Sequence, residues 1–295
     1  MSLSLKTNNS TFNQIKSRYI FVIYILILII LIVYEVAASF ITGIPSIEDP
    51  IFVDILYICS IVGLCYYLWK KLRQSRLNPQ YLIGNLFPHY HWWLLLRLVI
   101  VLLLFSLGAA TLLYCVLSSF APNLLEFFLE ESPSSLPIIY KCLETINYIV
   151  VAPITEEFIF RGVLLHRFAN KWNIASAIWI SSIIYSLLHL FDPVGGVLFG
   201  VVMALLYIKT KTLIVPIVAH AMYNAIAVIL QFLENNSSIA ESTTEISSGD
   251  WIIGLLLVAV SLPFIIRFVY RRFPAKNQSL PYFANEAKAI AEISD

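Results

Sequence analysis

The stretch of sequence that decides the fold is PITEEFIFRG, residues 153–162, which lies inside a long apolar run over residues 137–165. It carries Glu156, Glu157 and Arg161 where the neighbouring residues are suited to lipid. A charged side chain at the centre of a bilayer costs about 3 kcal/mol even on lenient scales. Such residues are expected to face a protein interior, so the stretch predicts a bundle of membrane-spanning helices built around a polar site.

The composition excludes a water-soluble globular protein and a disordered chain. Of the 295 residues, 59% are hydrophobic and 13% are charged, whereas an average soluble domain is about 25% charged. The chain has more apolar residues than a core of this size can bury, so lipid is the expected solvent for much of its surface. A net charge of only +1 gives no sign of a nucleic-acid partner.

The apolar segments predict eight membrane spans, because a helix of about 20 residues crosses a bilayer. They lie at residues 19–41, 51–69, 93–119, 137–165, 174–191, 194–208, 212–233 and 251–270. The sixth is short and glycine-rich at its start, which indicates a helix that is tilted or partly buried in protein. The predicted fold class is all-α: a polytopic membrane protein with about eight transmembrane helices and its functional site inside the bundle.

We expect three regions along the chain. Residues 1–136 provide the first three spans as a scaffold, and residues 137–233 form a core of four helices that holds the polar residues. Residues 234–295 comprise a polar loop, the eighth span and a tail. The apolar stretch of the first span is too long for a cleavable signal peptide, so it is expected to remain as an anchor.

The basic residues between the spans alternate from one side to the other. Lys and Arg precede the first span and follow the second, fourth, sixth and eighth, whereas the other connections contain acidic residues and no Lys or Arg. The positive-inside rule then places both termini in the cytoplasm. The expected location is the plasma (inner) membrane, with the lipid bilayer as the surroundings.

The helical spacing of the polar residues indicates which of them pair. Glu157 and Arg161 are four residues apart with the acid first, the favoured order for an ion pair along one helix. Glu156 then lies about 100° round the helix without a partner of its own. His220 and Asn224 are also four apart, so both side chains project from one face of the seventh span.

The turn between the fourth and fifth spans sets the relative height of two further residues. With a turn near residues 170–173, Glu156 and His189 are equally distant from it in sequence. In an antiparallel hairpin they face each other at one level, about 25 Å from the turn. By the same rule, His220 lies about 15 Å and Asn224 about 20 Å from the turn between the sixth and seventh spans, near residues 209–211, which is on the same side of the membrane. Three helices can therefore bring these four side chains together.

Such a set of groups is suited to hydrolysis. A carboxylate beside an imidazole can activate water, here Glu156 with His189. A second imidazole and an amide, His220 and Asn224, can donate hydrogen bonds to a developing oxyanion. No Ser or Cys is placed with an obvious His–Asp pair, so an acyl-enzyme is not indicated. The residues favour direct attack by water on a carbonyl.

A metal site is the alternative chemical interpretation. Glu156, His189 and His220 could supply the oxygen and nitrogen ligands of a Zn²⁺ ion with one position open. The chain has no HExxH signature. We expect no cofactor, with zinc kept as the alternative.

Three short motifs in order resemble one known family. EExxxR at 156–161 is followed by an aromatic residue four before His at 185–189 and by HxxxN at 220–224. This pattern is similar to the CPBP family of type II CAAX prenyl proteases and bacteriocin-processing or immunity-type membrane proteins, formerly called Abi proteins. The resemblance covers residues 137–232, about a third of the chain.

The resemblance implies an intramembrane endopeptidase of the glutamic type. By position, it implies that Glu156 and His189 activate the water and that His220 and Asn224 form the oxyanion hole. It implies a supporting role for Glu157 and Arg161. The aromatic position that usually holds Phe is Tyr185 here, which keeps the ring, adds a hydroxyl and is expected to support the site. The implied substrate is a membrane-embedded or lipidated peptide or protein, such as a prenylated chain or a leader peptide.

Two other functions fit the same residues. Buried Glu, His and Arg also serve as proton relays, so a proton-coupled transporter is possible, although no inverted repeat is evident. A non-catalytic partner or immunity protein of the same fold is the third interpretation.

The charge pattern places Glu156 and His189 nearer the outer leaflet, whereas processing of the CAAX type is cytoplasmic. His166, just beyond the fourth span, is expected at the surface.

Overall fold

The computed structural model describes residues 12, 20, 22, 23, 29, 50–86, 89–129, 138–189, 192–235, 247–276 and 278–294, with side chains for all except 50–53, 126–129 and 234–235. Over these ranges the chain is helical and contains no strand, which confirms the all-α fold class. The α-helices are α1 Pro50–Gln74, α2 Gln80–Ile83, α3 Trp92–Phe120, α4 Pro122–Leu129, α5 Ile138–Ile146, α6 Ala152–Glu157, α7 Leu165–Lys171, α8 Ile174–Leu187, α9 Pro193–Thr210, α10 Ile214–Asn235, α11 Ser248–Arg272 and α12 Pro281–Ser294.

Five of the described helices are long and apolar enough to cross a membrane: α1, α3, α9, α10 and α11. They match the second, third, sixth, seventh and eighth predicted spans. The first predicted span, 19–41, lies almost wholly outside the described residues. The fifth was predicted to reach residue 191, but α8 ends at Leu187, because the chain then turns to start α9.

The fourth predicted span is one continuous helix with two wide turns. π-Helical segments at Asn147–Val151 and Phe158–Leu164 flank α6, and the backbone stays helical through the junctions. Pro153 has no N–H to donate back along the helix, which accounts for a widened turn just before it. π-Turns inside α-helices are rare and are frequent at functional sites. These two flank the segment that carries Glu156 and Glu157.

The helices α8 and α9 approach each other closely through small residues. A Cβ on Gly200 would lie 2.8 Å from the Cβ of Ser182, and one on Gly196 would lie 3.2 Å from the Cβ of Ser186. Small residues four apart on one helix allow such packing between membrane helices. Most of α9 from Phe199 onward is buried, which confirms the prediction that the sixth span is partly buried in protein.

The outer faces of the bundle are apolar. On α11 the exposed side chains include Ile252, Ile253, Leu255, Leu256, Val260, Phe264 and Ile266. A soluble protein rarely exposes a contiguous apolar surface of this kind. Exposed apolar faces and long apolar helices together give a multi-pass membrane protein.

The expectation that His166 lies at the surface was wrong. It is completely buried, because Phe12, Tyr207 and Tyr282 at the start of α12 surround its ring. Its Nε2 accepts a hydrogen bond from the backbone N–H of Tyr282 at 3.3 Å, and its ring stacks on Phe12 at 5.2 Å between centroids. The sequence pattern around His166 contains no sign that a distant C-terminal helix docks there.

Candidate active site

Glu156, His189 and His220 meet where three helices converge. Glu156 lies on α6, His189 lies two residues beyond the end of α8, and His220 lies on α10. The Oε2 atom of Glu156 is 3.7 Å from Nε2 of His189 and 4.0 Å from Nε2 of His220. The hairpin argument placed Glu156 and His189 at one level, and the structure confirms it.

These three side chains differ in access to their surroundings. The side chain of His220 is 4% exposed and that of Glu156 is 15% exposed, whereas His189 is 38% exposed. The site is thus a buried pocket with one accessible edge at His189. Glu156 Oε2 is buried and has no hydrogen-bond partner among the described residues.

The contact made by Nδ1 of His189 fixes the tautomer of the ring and therefore the state of the nitrogen that faces Glu156. Nδ1 lies 2.9 Å from the backbone oxygen of Tyr185, and a carbonyl oxygen can only accept, so Nδ1 carries the hydrogen. In the neutral ring Nε2 is then the unprotonated nitrogen, and it is the one directed at the carboxylate.

Glu157 and Arg161 form the predicted ion pair. Nη1 of Arg161 donates to Oε1 of Glu157 at 2.8 Å, and the two side chains are 1% and 0% exposed. Nη2 of Arg161 donates to the backbone oxygen of Gly200 at 3.2 Å, which ties this helix to α9. Oε1 of Glu157 also accepts from Nδ1 of His220 at 3.1 Å, so the pair orients an imidazole of the site.

Asn224 lies one turn beyond His220 on α10, and both are buried, as their four-residue spacing predicted. Its Nδ2 donates to the backbone oxygen of Tyr148 at 2.7 Å. An amide nitrogen carries two hydrogens, so one N–H remains after that bond. The contact joins α10 to the π-helical segment that precedes α6.

An aromatic frame holds these groups. The Tyr185 ring stacks on the His189 ring at 4.3 Å between centroids, and the Arg161 guanidinium carbon lies 4.9 Å from the Tyr185 ring centroid. The Tyr185 ring also meets the His220 ring edge-on, at 6.2 Å between centroids. Phe199 meets the His220 ring edge-on at 4.9 Å. Tyr185 thus contacts three of the predicted site residues.

Sequence reasoning missed several of these contributors. Phe199 and the backbone oxygens of Gly200 and Tyr148 carry no signal in an apolar sequence. A further polar link lies nearby, where Asp192 accepts from the Ser106 hydroxyl and from the backbone N–H of Gly195. The glycine-rich start of the sixth span was the one available sign that a neighbouring helix approaches there.

The zinc alternative stays an untested prediction. Within the residues that the structure describes, no group of three or more His, Cys, Asp and Glu side chains is placed to hold a metal ion. This includes Glu156, His189 and His220, the ligand set that the sequence offered.

Fold and site together define a class: an all-α membrane protein with a carboxylate–imidazole site between its helices. Within that class, residues 138–226 match the family model described as type II CAAX prenyl endopeptidase Rce1-like. The resemblance inferred from the three motifs is therefore confirmed for this segment, which contains all seven predicted site residues.

Two curated proteins are similar over about the same length. The candidate membrane peptidase YdiL of Bacillus subtilis (strain 168) is 35% identical over 99 residues, which are 32% of this chain and 40% of that protein. The membrane-embedded CAAX protease MroQ of Staphylococcus aureus (strain USA300) is 34% identical over 105 residues, 32% of this chain and 42% of that protein. The chain spans about two fifths of the length of these relatives, and no solved structure matches it.

Proposed function

We propose that this protein is an intramembrane endopeptidase of the glutamic type, in which Glu156 and His189 activate a water molecule that attacks a peptide carbonyl. One observation carries the proposal: the buried Oε2 atom of Glu156 has no hydrogen-bond partner among the described residues and lies 3.7 Å from His189 Nε2. The match of residues 138–226 to a family of CAAX prenyl endopeptidases supports the reaction class.

The distance between the two groups suits a shared water. At 3.7 Å the oxygen and nitrogen are too far apart for a good direct hydrogen bond, and one water can bond to both atoms. In the proposed reaction Glu156 takes a proton from this water as the water oxygen bonds to the carbonyl carbon of the substrate. The C–N bond then breaks, and the proton held by Glu156 passes to the leaving nitrogen.

His220 and Asn224 are proposed to stabilise the oxyanion of the tetrahedral intermediate. Asn224 has an N–H left for this after its bond to Tyr148. Nδ1 of His220 is engaged by Glu157, so Nε2 donates only when the ring is doubly protonated. Hydrogen bonds to a developing oxyanion inside a low-dielectric site are each worth several kcal/mol, about 3 in typical cases.

The proposed substrate is a membrane-embedded or lipidated peptide or protein. The site lies inside a helix bundle and opens at the half-exposed His189, so a substrate reaches it from within or beside the bilayer. One relative is named as a CAAX protease, which supports a lipidated C-terminus as one candidate. We also propose that the reaction needs no metal and that the chain lies in the plasma membrane with both termini in the cytoplasm.

A pair of variants on one helix tests the proposal. Glu156→Gln removes the proposed base while keeping shape and hydrogen bonding, and Glu144→Gln makes the same change at an exposed position three turns earlier. Each is expressed in the native host at matched levels, and the termini of membrane proteins and secreted peptides are compared by mass spectrometry. We expect cleavage to fall at least about 100-fold in Glu156→Gln and to persist in Glu144→Gln.

Unchanged termini in a correctly inserted Glu156→Gln variant would overturn the proposal. Proton-driven transport in proteoliposomes would then be the next measurement. If termini do differ, the position of the cleaved bond relative to the substrate's own membrane span identifies the leaflet from which the site is reached.

A further inference from the structure

A cavity lies at the other end of the bundle from Glu156. It encloses about 440 Å³ between the start of α3 and the ends of α9 and α11, three helices that pack on one another. Lys209 at its edge is nine residues beyond Gly200 on α9, about 14 Å further along that helix. The cavity is therefore distinct from the proposed active site, and its volume is in the range of small-molecule sites.

The cavity joins two kinds of surface. Its floor is apolar and consists of Leu94, Leu95, Leu98, Leu206 and Phe268. At its edge stand Lys209 and Arg272, both exposed. Neither has an ion-pair partner among the described residues, and no carboxylate is among the residues that line the cavity. The arrangement fits a ligand with an anionic head and an apolar chain.

The position of the cavity matches the headgroup level of a bilayer. Trp92 and Trp93 begin α3 beside it, and tryptophans at helix ends typically sit at the membrane interface. Lys209 and Arg272 lie in the last turns of their helices, on the side of the chain where the basic residues collect. Basic pockets between membrane helices at this level bind anionic lipid headgroups.

We propose that this cavity binds one anionic phospholipid of the leaflet on the basic side, with the phosphate between Lys209 and Arg272 and an acyl chain against the leucine floor. The observation behind it is the juxtaposition of a concave apolar floor with two cations that have no ion-pair partner among the described residues. Free phosphate would use the two cations alone and leave the floor without a partner, so the lipid is the favoured ligand.

The test uses the full-length protein purified in detergent, with dioleoylphosphatidylglycerol as the anionic probe and dioleoylphosphatidylcholine as the zwitterionic one. Native mass spectrometry counts bound lipid as each is titrated. The double variant Lys209→Gln/Arg272→Gln removes the cavity charges. The control, Lys211→Gln/Arg271→Gln, removes the same charge from exposed neighbours outside the cavity. Gel filtration checks that each variant is folded.

We expect the wild type and the control to retain one phosphatidylglycerol in preference to phosphatidylcholine. The cavity variant should bind it about 30-fold more weakly, since each of the two basic residues that it lacks contributes about 1 kcal/mol near an anionic surface. Equal retention by the cavity variant, or no preference between the two lipids, would overturn the proposal. So would displacement of the lipid by millimolar inorganic phosphate. The measurement does not depend on peptidase activity.

Discussion

The buried pair Glu157–Arg161 makes a sharp prediction about stability. Both side chains are almost fully buried, and the carboxylate serves Arg161 and His220 at once. Replacing Arg161 with Met keeps an unbranched apolar stem and removes the charge. Glu157 would then be a buried carboxylate with one imidazole N–H as its remaining described partner, because its Oε2 has none.

The expected loss in the free energy of unfolding is large. Breaking a buried ion pair from one side costs about 3–5 kcal/mol, because the remaining charge is left without compensation. Glu157→Gln should lower the free energy of unfolding by a similar amount, because the Arg161 guanidinium would keep the backbone oxygen of Gly200 and the Tyr185 ring as neighbours but lose its anionic partner. The double variant Glu157→Gln/Arg161→Met contains neither charge, so we expect it to be more stable than either single variant. The coupling between the two sites should be about 2 kcal/mol or more.

The assay is unfolding of the purified protein by titration with SDS in mixed micelles, followed by tryptophan fluorescence. The exposed pair Lys288–Glu292, at 3.7 Å on α12, is a matched control with the same four-residue spacing. The cycle Lys288→Met and Glu292→Gln should show coupling of about 0.5 kcal/mol or less. If the losses from the two buried substitutions simply add, the pair is not an interacting unit and our reasoning fails. We expect the double variant to fold yet cleave poorly, since His220 loses its charged partner.

Three further predictions follow from the site. Tyr185→Phe removes only the hydroxyl and keeps the ring that stacks on His189, so it should lower cleavage by about tenfold at most, the worth of one modest hydrogen bond. Tyr185→Leu removes the ring and should abolish cleavage. Equal activity of the two variants would contradict the role of the ring. Gly200→Ala should destabilise the protein by about 1–3 kcal/mol, because its Cβ would meet Ser182 at 2.8 Å. Gly63→Ala, where nothing lies within 4 Å, should be neutral or slightly stabilising in the same unfolding titration. Incubation with EDTA or 1,10-phenanthroline should leave cleavage of a substrate unchanged, and loss of activity that added Zn²⁺ restores would instead establish the metal alternative.

Periodicity and charge predicted the features that depend on local sequence. Four-residue spacing identified the Glu157–Arg161 pair, and the length of a hairpin identified the approach of Glu156 to His189. Both arguments work because an α-helix has a fixed rise and rotation per residue. The predicted site residues are therefore brought together by rules that need no knowledge of the whole fold, although their chemical roles stay proposals.

Contacts between helices distant in sequence were not predictable in the same way. The docking of α12 on His166 joins residues 116 positions apart, and no local pattern marks either partner. Phe199 and Gly200 look like ordinary members of an apolar span, and their contacts with His220 and Arg161 depend on where α9 lies against α10 and against the helix that carries Arg161. The close approach of α9 to α8 depends on Gly196 and Gly200, which were visible in the sequence although their partners Ser186 and Ser182 were not.

The docked C-terminal helix also bears on the depth of the site. The charge pattern and straight helices predicted that Glu156 lies nearer the outer leaflet, counting from the turn after α7. However, Tyr282 at the start of α12 packs on His166, and α12 carries charged, exposed residues such as Lys288 and Glu292, which belong in water. We therefore expect the helical turn around His166 to lie outside the hydrocarbon on the basic side. Counted from His166, Glu156 would then be about 15 Å deep, close to the midplane of a core about 30 Å thick. At that depth a substrate from either leaflet could reach the site, which would reconcile the basic-side topology with cytoplasmic processing.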